Sequence, residues 1–307
     1  MAFGCGKVIL LGEHSVVYGR PALAASLASM GAEASAEPWP HARLEVEPWG
    51  VAFDVDAEQE EQPADAMQRA FRALLAGYGK PWPRARVRVQ LSIPGAAGLG
   101  GSAALSVAVV RALDALRGSE RTPEAVAAAA LAAEYVFHGT PSGIDTAMAA
   151  GSGVALFRKD APLEQVALER PLTLVVGHSG EVGQTKITVA SVKQQYQRDP
   201  KKLEQTFGAI EALVLNARSA LQHGDVADLG KLMSENQKLL NTLLLSTSRL
   251  EEMCKATENA GALGAKLTGG GGGGCMIALC AGPELAGPVL EALRKLGRDA
   301  FLVQVQP

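Results

Sequence analysis

The chain has 307 residues, 48% of them hydrophobic and 20% charged, enough apolar material for one large core or two moderate ones and too much for a disordered chain. A formal net charge of −3 supplies no basic field for nucleic acid or an anionic membrane surface, leaving room only for a local cationic cleft. Four cysteines, Cys5, Cys254, Cys275 and Cys280, lack paired CxxC spacing, which argues against a disulfide scaffold or a zinc site.

The opening GKVILLGEH predicts a strand from Lys7 to Gly12. Its apolar run, broken by Gly12 and Glu13, is too short for a signal-peptide core, and no later segment reaches spanning length, so the expected compartment is the cytoplasm. After a polar stretch with Pro and Trp over 37–50, PADAMQRAFRALLA (63–76) has apolar residues at helical spacing and stops at the breakers Gly77 and Gly79. ARVRVQLSI (85–93) alternates with Arg on one face and reads as a strand. The segment PGAAGLGGSAA (94–104) leads into a helix from Ser102 to Gly118, and Thr122 as N-cap with Pro123 behind it opens another that runs to Gly139. Short strands at 151–157 and 172–176 flank a charged, linker-like stretch, 158–170, where the domain change is placed, giving 1–160 and 161–307. Helices follow at 186–198, 202–222, 227–244 and 249–259, then strands at 275–280 and 300–305 around a helix near 284–296. The expected class is α+β.

Glycine forfeits backbone entropy and packing, so PGAAGLGGSAA and KLTGGGGGGC (266–275) imply that something approaches the backbone closely. The first run lies between a strand and a helix start, where converging amides and the helix dipole suit a phosphate. No Lys-Ser/Thr follows either run, which removes the Walker P-loop. Gly98, Gly100 and Ala103 satisfy a dinucleotide pattern, but residues intervene after the strand and the required acidic residue is misplaced. Taken alone, Lys7 reads as a solvated strand-edge residue, Glu13 and His14 as turn polarity, Glu134 as a surface charge, Asp145 as an N-cap after PSG, and His138 as a helix-end cation or pocket wall. Cys275 and Cys280 alternate with apolar neighbours, as buried structural thiols do.

Taken in order, Lys7 with GEHSVVYG, PGAAGLGGSAA, EYVFHGTPSGID (134–145) and KLTGGGGGGC resemble the GHMP kinase superfamily of galactokinase, homoserine kinase, mevalonate kinase and phosphomevalonate kinase. The resemblance spans nearly the whole chain, and GEHSVVYG with HGTPSGID looks most like the mevalonate kinases. It implies an N-terminal ribosomal-protein-S5-like domain that binds ATP, a C-terminal ferredoxin-like domain, and an active site in the cleft between them. By the same resemblance Pro94, Ala96, Gly98, Leu99, Gly100, Gly101, Ser102 and Ala103 would wrap the ATP phosphates, with Ser102 and Glu134 holding Mg²⁺. Asp145 would take the proton of the acceptor hydroxyl or position it, and Lys7 would lie close enough to keep Asp145 ionised. Glu13, His14, Ser142, Thr268 and Gly269 would face a small carboxylate acceptor, mevalonate. Two positions depart from the family pattern: Gly101 stands where a serine is usual, and Gly270 where an alanine is. The segment around His178 departs as well. The resemblance also makes a homodimer an expectation. Two alternatives stay open at this point, a sister kinase acting on another small hydroxyl compound such as phosphomevalonate or a sugar, and a nucleotide-binding sensor that no longer catalyses.

Overall fold

The opening strand is longer than its apolar run: in the computed structural model, β1 covers Ala2–Leu11 and β2 covers Ala22–Pro38. The structure describes residues 2–56, 65–95, 98–139, 141–159 and 161–307. The chain divides into two units with interleaved segments, the first comprising 1–6, 30–94 and 100–152, the second 7–29, 95–99 and 153–307. Both long strands therefore pass from one unit to the other.

In the first unit β3 (Ala42–Val46) and β4 (Val51–Val55) are antiparallel, β3 is parallel to β5 (Ala85–Leu91), and β5 is antiparallel to the second half of β2, with Ala32 opposite Leu91 and Pro38 opposite Ala85. The alternation in β5 is realised: Ala85, Val87 and Val89 are buried, while the Arg86 guanidinium lies 4.1 Å from the Trp39 ring. The expected helix at 63–76 is α1 (Ala66–Ala76), N-capped by Asp65, whose carboxylate accepts from the Met67 amide at 3.0 Å. The first residues of that expectation, 63 and 64, lie outside the described residues. α2 (Gly101–Leu116) starts one residue before Ser102, and α3 (Pro123–His138) carries the expected Thr122 cap and leading proline. Alanine-rich faces let α2 and α3 pack closely, and the short α4 (Ile144–Ala150) packs on both.

In the second unit the first half of β2 pairs antiparallel with β6 (Val154–Phe157), which pairs with β7 (Glu164–Val166) inside the stretch expected to be a linker. β8 (Leu172–His178) is followed by α5 (Thr185–Arg198), α6 (Pro200–Gln222), α7 (Val226–Thr242), α8 (Ser248–Asn259), β9 (Gly264–Thr268), β10 (Cys275–Cys280), α9 (Ala286–Lys295) and β11 (Ala300–Val305). Four of these strands form an antiparallel sheet in the order β11-β8-β10-β9. Asp199 ends α5 and caps α6, accepting from the Lys202 amide at 3.1 Å. Phe207, Ile210, Val214, Met233 and Leu240 fill the helix side of the core, and Val175, Val176, Ile277 and Leu279 the sheet side. α7 crosses β9 where Gly230 meets Gly264: a Cβ on Gly230 would lie 2.6 Å from both the carbonyl carbon and Cβ of Leu263. Only paired glycines allow that approach.

All four cysteines are free and buried, as the sequence suggested for Cys275 and Cys280, and burial pushes the thiol of Cys275 up to about 12 and that of Cys280 to about 11. Among the described residues, no helix is long and apolar enough to cross a membrane.

Candidate active site

The first unit holds the start of α2 and three of the candidate side chains, Ser102, Glu134 and Asp145. Gly100, and Gly98 of the second unit, both have φ of 75°, a left-handed conformation that favours glycine. Gly100 is the N-cap of α2 and offers no side-chain acceptor, so the first-turn amides of Gly101, Ser102 and Ala103 have no cap from their own helix end. Such amides, with the helix dipole behind them, suit an anion. Pro94 is half-buried just before this turn, and Ala96 lies outside the described residues.

Glu134 and His138 are four residues apart and share one face of α3. The His138 Nε2 lies 3.2 Å from the Ser102 Oγ and 3.5 Å from the Glu134 Oε2, so one ring nitrogen gathers the two oxygen groups. Glu134 is 2% exposed, which rules out the surface-charge reading. A hydroxyl and a carboxylate held together in this way fit the partial oxygen shell Mg²⁺ prefers, with phosphate and water left to complete it. Among the described residues, no three His, Cys, Asp or Glu side chains form a metal site of their own.

Asp145 sits within the first turn of α4 rather than at its N-cap, which is Gly143, and its Oδ1 is shielded from solvent. The Ser142 Oγ accepts from the Ile144 amide at 3.4 Å, a local turn contact. Because α2, α3 and α4 pack on one another, Ser102, Glu134 and Asp145 stand on three mutually supported helices.

The second unit holds Lys7, Glu13, His14, Thr268 and Gly269. Lys7 is not a solvated edge residue: it lies inside β1, is 5% exposed, and its Nζ donates to the Gly98 carbonyl at 3.3 Å. The Lys7 amide donates to the Leu99 carbonyl at 2.9 Å, so the strand and the glycine turn are joined twice. Gly269 passes the same turn, where a Cβ would come 3.2 Å from the Gly98 carbonyl oxygen. The Thr268 hydroxyl accepts from the Ile9 amide at 2.8 Å and lies 3.2 Å from the Ile9 carbonyl, which fastens the end of β9 to β1.

The carboxylate of Glu13 contacts the Lys266 ammonium, and both side chains are wholly buried. The Asn236 Nδ2 donates to Glu13 Oε2 at 3.2 Å, while the Lys266 Nζ also donates to the Leu267 carbonyl at 2.5 Å. Burial pushes Glu13 up and Lys266 down, each opposed by the charge of the other. His14 follows with φ of 59°, a left-handed conformation uncommon outside glycine. Its Nε2 lies 2.8 Å from the Gly270 carbonyl and, since a carbonyl only accepts, carries the proton there. The Thr188 hydroxyl donates to the same oxygen at 2.8 Å. Burial holds the His14 imidazole below its usual range. At Gly270, the alanine of the family pattern would bring its Cβ within 2.6 Å of Thr185 Cγ2, so Thr185 fills that space. His178 accepts from the Gly180 amide through Nδ1 at 3.2 Å, a turn contact.

Lys266, Asn236, Thr188 and the double contact of His138 were not assigned from the sequence. Lys266 had one signal, a lysine amid the buried pattern Ala-Lys-Leu-Thr beside a glycine run. Asn236 and Thr188 lie in ordinary amphipathic helices and had none.

The GHMP kinase N-terminal domain model matches residues 65–153 and the GHMP kinase C-terminal model residues 217–299. Mevalonate kinase of Thermococcus sibiricus is 34% identical over 99% of this chain and 96% of its own length, and that of Pyrococcus furiosus 33% over 97% and 94%. The crystal structure of L. major mevalonate kinase in complex with R-mevalonate superposes with a TM-score of 0.87 at 30% identity, covering 99% of this chain and 95% of that one. Mevalonate kinase of Methanococcus jannaschii shares the fold, with a TM-score of 0.85 at 22% identity over 99% and 98% of the two chains.

Proposed function

The chain belongs to the mevalonate kinase family of GHMP kinases, and from that membership we propose that it transfers the γ-phosphoryl group of ATP to the C5 hydroxyl of mevalonate, giving 5-phosphomevalonate and ADP. The observation that carries the substrate is the match along nearly the full chain to kinases named for it. The retained Lys7, Ser102, Glu134 and Asp145 argue against a sensor, which needs a phosphate cradle but no carboxylate for an acceptor.

In this reading the α2 amides from Gly101 to Ala103 receive phosphate oxygens, and the glycines before them leave the backbone open to that approach. Ser102 and Glu134 would hold Mg²⁺ through oxygen, and the ion would offset charge on the phosphates. Asp145 accepts the hydroxyl proton or orients that hydroxyl, which is enough for a loose phosphoryl-transfer transition state. The ammonium of Lys7 stabilises charge on the group in transfer. On the acceptor side, His14, Thr268 and Gly269 form the wall that receives the small carboxylate.

The test is ADP release with MgATP against mevalonate, 5-phosphomevalonate, galactose, homoserine and no acceptor. Stimulation by mevalonate alone is expected, and stimulation by a different member or by none overturns the assignment. Asp145→Asn should lower turnover about 10²- to 10⁴-fold while ATP binding persists. Wild-type turnover in that variant removes Asp145 from the chemistry.

A further inference from the structure

The Glu13–Lys266 pair is wholly buried and costly to bury. Each ion loses several kcal/mol of hydration on burial, and apolar side chains of similar volume would fill the same space without that loss. What the pair does hold is position. Glu13 precedes His14, whose left-handed backbone is sustained by its surroundings, and Lys266 lies two residues before Thr268 and four before Gly270. The ammonium of Lys266 also lies 3.4 Å from the Ile9 carbonyl, and the Thr268 hydroxyl bonds the amide of the same Ile9. Asn236, reaching in from α7, satisfies the second carboxylate oxygen.

We propose that Glu13, Lys266 and Asn236 form a positioning unit that locks the His14 turn to the end of β9, so that His14 can grip the Gly270 carbonyl and hold the glycine run in place on the acceptor side. The three residues are positioning residues: they act through His14 and the Thr268–Gly270 backbone. The kinetic part of this inference rests on the kinase reading above.

Lys266→Met alone strands a buried carboxylate and should lower the melting temperature sharply, whereas Glu13→Gln with Lys266→Met removes both charges and should recover most of that loss. The folded double variant is expected to raise the KM for mevalonate about tenfold, the effect of one lost buried hydrogen bond, with kcat and the KM for ATP within about twofold of wild type. The His14 ring N–H, buried and bonded to the Gly270 carbonyl, is expected by NMR to exchange slowly in wild type and fast in this variant. Asn236→Ala keeps both charges and should shift the same two readouts in the same direction, deciding the matter if the double variant does not fold. A folded variant with wild-type acceptor KM and a protected His14 proton overturns the proposal. If no acceptor supports turnover the kinase reading fails, and the His14 proton still decides the positioning role by itself.

Discussion

Gly230→Ala puts two effects of opposite sign in competition. Gly230 lies inside α7, where alanine is favoured over glycine by about 1 kcal/mol of helix propensity. Against that, the new Cβ would stand 2.6 Å from Leu263 backbone and side-chain carbons, in a crossing where Gly264 already touches α7. Overpacking typically costs about 1–3 kcal/mol, and here the obstacle is backbone, which places the cost at the upper end. The clash wins by about 2 kcal/mol, a fall of roughly 4 °C in melting temperature for a chain of this size. Gly208→Ala is the matched control, because Gly208 lies inside α6 and has no atom within 4 Å of its would-be Cβ. That variant should gain about 0.5–1 kcal/mol. Urea and thermal unfolding of both variants against wild type measure the difference. If Gly230→Ala is as stable as Gly208→Ala, the close crossing of α7 and β9 does not exist.

Other outcomes follow from single residues. Leu244 is 75% exposed with φ of 60°, so Leu244→Asn should stabilise by about 0.5–1 kcal/mol in thermal melts, and a loss would contradict the left-handed geometry. His14 resists protonation when folded and accepts a proton near 6.5 when unfolded, so its contribution is complete above that pH and falls below it. The slope is at most about 1.4 kcal/mol per pH unit. Urea midpoints between pH 8 and 5 should show this decline, and His14→Gln should flatten it. With thiols raised by burial, native protein at pH 8 should leave Cys275 and Cys280 unalkylated by iodoacetamide, while urea exposes both. Labelling of either in the native state would contradict their burial.

Elements with strong local signals were readable from sequence: the Arg alternation of β5, the Thr122-Pro123 start of α3, and the terminal strands β10 and β11. β2 was not, because ALAASLASMGAEASAEP has no β-branched residue and its strand state comes from its partners. β9 was hidden by the glycines beside it, whereas α4 was signalled only by the cap expected at Asp145, which lies inside its first turn. The motif residues stood out through family resemblance, but their surroundings did not. Nothing local marks Lys7 as buried, since its partner Gly98 is 91 residues away in sequence. The spacing between Glu13 and Lys266 is 253 residues, beyond any periodicity.

That spacing also sets a schedule for the newborn chain. At about 5–20 residues per second, a ribosome releases Glu13 roughly 13–50 s before it makes Lys266. Throughout that interval the carboxylate can remain hydrated, but it cannot take its native place, because the unit that begins at Lys7 also includes Lys266. A product broken off anywhere before Lys266 lacks both the cation that receives Glu13 and the Thr268 hydroxyl that bonds the Ile9 amide, so β1 cannot be fastened to β9 in it.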